Sequence, residues 1–157
     1  MFSLLLRNLF FTLLLPGMVA GYIPWRILGD QAGRVMTAKI NPVQYLAIPL
    51  FLTGIVILLT CIFSFARVGR GTLAPVDPTK HLVTTGFYRF SRNPMYAGVM
   101  LVLTGEAVFF RSGSLWIYLI SVFVLFNLFI LAIEEPRLRR DFTLEYDDYC
   151  RKVRRWI

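Results

Sequence analysis

The sequence offers little with which to hold a metal or staple a small fold, having 2 cysteines and 1 histidine in 157 residues. Cys61 lies inside an apolar run and Cys150 in a basic tail. Neither fits a disulfide framework or a zinc spacing, and His81 has no partner for a metal site. Charge is also scarce, at 17% of residues, and acidic charge scarcer still: 9 Asp and Glu stand against 17 Lys and Arg. A chain that is 57% hydrophobic, with a mean hydropathy of +0.63, carries more apolar surface than a soluble domain of this size can bury. A soluble globular protein is excluded. The net charge of +8 would suit nucleic acid in a soluble chain. Here the basic residues crowd the ends of apolar runs, where anionic headgroups lie, so they point to a membrane instead.

What is there is organised in four apolar runs. Residues 42–66 and 112–133 contain no charge, and each reaches the roughly 20 residues needed to cross hydrocarbon. Residues 4–23 form a third, with Arg7 placed to snorkel at its start and Pro16 to kink it. A signal peptide is the alternative there, although Arg7 is a meagre basic flank and no clear cleavage site follows. The fourth run, 94–110, is short and carries Glu106 near its far end, which reads as an interfacial residue rather than a catalyst. No internal repeat appears, and the expectation is one all-α integral membrane domain over residues 1–157 with four transmembrane helices.

Basic residues set the expected orientation. With both termini cytoplasmic, that side holds Arg7, then Arg67, Arg70, Lys80, Arg89 and Arg92, then seven more from Arg137 to Arg155. The other side holds only Arg26, Arg34, Lys39 and Arg111. This bias is that of an integral protein of a bacterial inner membrane with cytoplasmic ends. In the tail, residues 135–153, Leu138, Phe142, Tyr146, Tyr149 and Val153 recur at steps of four, four, three and four. That stripe predicts a helix lying along the membrane surface.

The connection 67–93 is the least membrane-like part of the chain, with Gly69, Gly71, Pro75, Pro78 and Gly86. Its stretch KHLVTTGFYRF has β-branched and aromatic residues and is expected to be ordered against the helix ends. Between the last two runs stand only Arg111, Ser112, Gly113 and Ser114, a turn short enough to force an antiparallel hairpin. At 1.5 Å per residue, Tyr96 and Glu134 then differ in depth by roughly 7 to 8 Å. RNPMY, residues 92–96, and EEPRL, residues 134–138, therefore share one rim. Tyr88, Arg89, Arg92, Asn93 and Tyr96 face Glu134 and Glu135 across it, and carboxylates at a bilayer edge require a polar cavity or a partner.

Each piece has a plainer reading. The arginines obey the charge bias, the tyrosines suit an interfacial belt, Pro94 suits a helix start, and the glutamates can pair with Arg137 to Arg140. Their coincidence at one depth is what marks a site.

The segments GRGTLAPVDPTKHLVTTGFYRFSRNPMYAG and, after the hairpin, EEPRLRRDFTLEYDDYCRKVRRWI resemble the membrane methyltransferases that include isoprenylcysteine carboxyl methyltransferases and phospholipid N-methyltransferases. The resemblance implies S-adenosylmethionine as cofactor, bound at the cytoplasmic ends of the last two helices under the tail. It implies that Lys80, His81, Leu82 and Val83 line that cofactor, with Tyr88, Asn93, Pro94, Met95 and Tyr96 around it and Glu134 and Glu135 closing the site. Arg92 and Glu135 are the candidate catalytic residues, Glu135 as the base where the nucleophile must lose a proton. No metal is implied.

Carboxyl methyltransferases have RHP where this chain has Arg92, Asn93 and Pro94, and a basic residue where 128–133 is uncharged; the usual glycine after Phe142 is Thr143. The NPMY form is closer to the phospholipid N-methyltransferases. The expected reaction is methyl transfer to a lipophilic acceptor without a free carboxylate, such as a membrane lipid amine or a thiol. Two alternatives stay open: a sterol-reductase-like oxidoreductase using a nicotinamide cofactor, and a non-enzymatic membrane scaffold.

Overall fold

A computed structural model describes residues 16–64, 67 and 81–156, and among these every regular element is a helix. They are α1 (Ile23–Leu28), α2 (Asp30–Thr37), α3 (Pro42–Ser64), α4 (Pro94–Phe110), α5 (Gly113–Phe129) and α6 (Glu135–Lys152), with a 3-10 turn at Gly86–Arg89. π turns at Met18–Tyr22 and Ile130–Glu134 lead into α1 and α6.

Among the described residues two stretches are long and apolar enough to cross a bilayer: α3, and the helical run Gly113–Lys152. Two of the four expected spans are thus present among the described residues, and the other two are not confirmed. The 94–110 run does form a helix, but at 17 residues it stands at the short end of the crossing range. Of the 4–23 run, only residues from Pro16 onward are described. There the helix does not stop at Ile23 but continues through α1 to Leu28, with a kink at Ala20. Tyr118 on α5 donates to the Val19 carbonyl at 2.9 Å beside that kink, supplying a partner for backbone that irregular geometry exposes.

The core is built on α3 and α4, the most extensively packed pair. Glycines permit the contact: a Cβ on Gly54 would stand 2.7 Å from the Gly98 carbonyl oxygen and 2.7 Å from Val102 Cγ2. Close backbone approach through small residues is how helices associate where lipid gives no hydrophobic drive between them. Asn41 caps α3, its side chain accepting from Val43 N–H while its own N–H reaches Gln44 Oε1 at 2.8 Å. Gln44 Nε2 then donates to the Phe109 carbonyl at 2.7 Å, pinning the start of α3 to the end of α4.

Arg111 ends α4 in the left-handed conformation (φ 50°), and Ser112 begins α5. The predicted hairpin is what this turn makes: Tyr96, in the first turn of α4, reaches Glu134, beyond the end of α5. The tail differs from the expectation. α6 is not separate from the last span but continues it through the π turn, and it breaks at Thr143 (φ 39°, ψ −114°), a conformation suited to glycine. The stripe turns inward rather than toward a membrane surface. Tyr146 and Tyr149 are buried, and Tyr149 donates to the Tyr88 carbonyl at 2.6 Å.

Candidate functional site

The site forms where the start of α4 meets the π turn after α5. Pro94 occupies the first turn of α4, where its missing N–H costs no helical bond. Asn93 is buried at the N-cap, but its side chain makes no cap; Nδ2 donates 3.2 Å to the Arg155 carbonyl instead. Ser91 Oγ holds the Asn93 N–H at 3.1 Å and itself donates to the Arg155 carbonyl. Arg92 N–H donates to the Arg154 carbonyl at 2.9 Å. Residues 91–93 are thus tied to the extended chain end, residues 153–156.

Across the rim the two carboxylates are held differently. Glu134 accepts from the Tyr96 hydroxyl through Oε2 at 2.7 Å, its only hydrogen bond among the described residues, while the Tyr96 ring stacks 4.7 Å from Phe126. Glu135 is gripped by the Arg155 fork, Nε to Oε1 at 2.8 Å and Nη2 to Oε2 at 3.0 Å. Arg92 Nη1 lies 3.3 Å from Glu135 Oε1 and 2.7 Å from Cys150 Sγ. The hydrogen bonds from Arg155 to Glu135 raise the guanidinium pKa above its ordinary value, so Arg155 stays a cation. Burial raises the Tyr88 phenol well above its ordinary range, so Tyr88 serves as a neutral phenol packed with Cys61, Ile57 and Val83.

Tyr88, Arg92, Asn93, Tyr96, Glu134 and Glu135 are brought together as the sequence suggested. Other expected residues lie apart. His81 is exposed, Val83 is a core residue behind Tyr88, Leu82 is half-buried, and Met95 packs between two core clusters. Arg89 is exposed at the rim, and Lys80 lies outside the described residues. Sequence reasoning missed Ser91, Asn127, Arg155 and Trp156. Trp156 Nε1 donates to Asn127 Oδ1 at 3.1 Å, and its ring lies 5.4 Å from Phe123, clasping the chain end to α5. A lone amide inside an apolar run was the available signal for Asn127; nothing in the sequence distinguished Arg155 from the six other basic residues of the tail.

A family model described as phospholipid methyltransferase matches residues 43–145. The chain belongs to the phospholipid methyltransferase family. The matched segment runs from the first turn of α3 into the second half of α6 and so contains both halves of the rim. An uncharacterized protein of Haemophilus influenzae is 33% identical over 63 residues, which is 40% of this chain and 100% of that protein. No solved structure matches. Members of the phospholipid methyltransferase family are methyltransferases, and the family's acceptors are of the lipid type.

One observation tests whether these residues suit a methyl donor that carries an amino-acid end. Arg92 Nε is buried and has no hydrogen-bond partner among the described residues. A buried guanidinium N–H without an acceptor is costly, and a ligand carboxylate at the start of α4, near the positive end of the helix dipole, would satisfy it. The donor set fits.

Proposed function

We propose that the chain is a single membrane domain that transfers the methyl of S-adenosylmethionine to a lipophilic acceptor, a lipid amine or thiol, at the end of the bundle where α4 begins. The observation that carries this is the pairing of an unpartnered Arg92 Nε with two carboxylates on the opposite side of one rim, inside the matched segment. Arg92 and the first N–H groups of α4 suit the carboxylate of the donor's amino-acid end. Glu134 suits its ammonium or ribose hydroxyls, and the ring of Tyr96 attracts a cation. The bound donor supplies an activated methyl, so the protein's task is alignment of the acceptor within roughly 3 to 3.5 Å and exclusion of water.

Glu135, saturated by Arg155 and Arg92, holds the chain end over the rim. The base for an acceptor that must lose a proton is therefore assigned to Glu134, whose Oε1 has no hydrogen bond among the described residues. Glu134 would take that proton while Tyr96 keeps the carboxylate oriented. A groove of about 290 Å³ lined by Thr60, Gly86, Phe87, Arg89 and Phe90 opens beside the rim and suits an apolar acceptor arriving from the bilayer. The uncharged stretch 128–133 leaves no cation for an acceptor carboxylate, which favours amines and thiols. The basic bias supports a cytoplasmic position, in a bacterial cell, for this end and both termini.

Calorimetric titration of the purified chain with S-adenosylmethionine and with a reduced nicotinamide tests the reading. Binding of the first, weakened about tenfold or more by Glu134→Gln, is expected, since a hydrogen bond to a charged group contributes roughly 1.5 to 3 kcal/mol. Binding of the nicotinamide alone would overturn it.

A further inference from the structure

At the opposite end of the bundle lies a cavity of about 530 Å³, lined by Gln31, Arg34, Val35, Ala38, Lys39, Asn41, Gln44, Phe110 and Arg111. Three of these are cations, none is acidic, and none of the three makes an ion pair among the described residues. The only described carboxylates at this end are Asp30 and Glu106, and neither lines the cavity. Like charges gathered without a counter-charge repel one another unless an anion lies between them.

The walls are fixed in advance. Gln31, Arg34 and Val35 fall at helical spacing on one face of α2, Ala38 follows as its extended C-cap, and Gln31 Nε2 donates to the Phe110 carbonyl at 3.1 Å. Gln44 Nε2 occupies the Phe109 carbonyl. These bonds tie α2 and α3 to α4, and they also engage the last carbonyls of α4, whose negative end would otherwise oppose an anion. Phe110, Val35 and Ala38 supply apolar wall beside the cations, at the level where α3 begins its crossing.

We propose that this cavity binds the phosphate of a phospholipid headgroup from the leaflet opposite the candidate site, with Arg34, Lys39 and Arg111 as the phosphate ligands. Apolar wall next to the cations, at the edge of the hydrocarbon, selects a lipid over a free anion, because acyl chains can run down the exposed faces of Val43 and Leu46. The inference is independent of the methyltransferase site.

The test is titration of the detergent-purified full chain with phosphatidylglycerol, read by native mass spectrometry, against an R34Q/K39Q/R111Q variant and an R137Q/R139Q/R140Q control. A basic residue facing an anionic lipid contributes roughly a fivefold gain, so the first variant should bind about 100-fold more weakly and the control almost unchanged. Should the triple variant fold poorly, as judged by its unfolding temperature, K39Q alone should still bind about fivefold more weakly. Equal binding by wild type and variant overturns the proposal, as does equal binding of diacylglycerol, which lacks the phosphate. Displacement of the lipid by millimolar inorganic phosphate would assign the cavity to a soluble anion and overturn the lipid.

Discussion

Removing either partner of the Arg155–Glu135 pair should loosen the chain end from the rim, and the two removals should not add. The Glu135 side chain is 12% exposed, Arg92 13% and Arg155 33%, so the cluster is largely but not wholly desolvated. Breaking a buried pair costs about 3 to 5 kcal/mol, and each hydrogen bond to a charged group about 1.5 to 3. Because Arg155 is one-third exposed, the lower end applies, and Arg155→Gln or Glu135→Gln should each cost about 3 kcal/mol. For a chain of this size that lowers the unfolding temperature by roughly 6 to 12 °C. The double variant should lose only about 4 kcal/mol, a coupling near 2, since the second change removes a group whose partner in the fork is already gone. Thermal unfolding in detergent, followed by tryptophan fluorescence, measures all four proteins, and faster tryptic cleavage at Arg154 and Arg155 reports release of the end. Losses that add within about 0.5 kcal/mol would show that the fork does not hold the tail.

Thr143→Gly should stabilise the protein by about 1 kcal/mol, because a β-branched residue at φ 39° carries strain that outweighs the entropy glycine adds to the unfolded chain; an unchanged or lower unfolding temperature would refute it. Gly54→Ala should cost about 2 kcal/mol by forcing α3 from α4, whereas Gly21→Ala, where a Cβ meets nothing within 4 Å, should be neutral in the same assay. Tyr96→Phe should cost about 1 to 2 kcal/mol and weaken donor binding by less than Glu134→Gln does. A cysteine replacing the exposed Ser114 should react with an impermeant thiol reagent added from outside the cell. Labelling only in inverted vesicles would reverse the proposed orientation.

The hairpin and the meeting of Tyr96 with Glu134 were legible because they depend on chain length alone: a four-residue turn and a fixed rise per residue leave one geometry. Glu134 and Glu135 were not distinguishable in sequence, because adjacent residues on a helix point about 100° apart and only the folded partner decides what each meets. The chain end was illegible for a related reason. Arg151, Lys152, Arg154 and Arg155 look alike as a basic run, yet the helix stops at Lys152, and the extended backbone beyond it turns Arg155 alone onto Glu135. The amphipathic stripe was legible as a stripe but the burial of Tyr146 and Tyr149 within the protein was not, since the periodicity of apolar residues says which side is buried but not against what.

The π turn at Ile130–Glu134 amounts to one extra peptide unit wound into a helix that is otherwise continuous from Gly113 to Phe142. In an α-helix one residue is worth about 100° of rotation and 1.5 Å of rise. Rewinding these five residues as regular α-helix, with none deleted, would leave both helices intact while swinging α6 around its axis by more than a quarter turn. Glu135 would then face away from Arg92, and Tyr149 away from Tyr88. The angular setting of the whole tail over the rim is thus stored in the one residue by which this turn exceeds an α-helical turn.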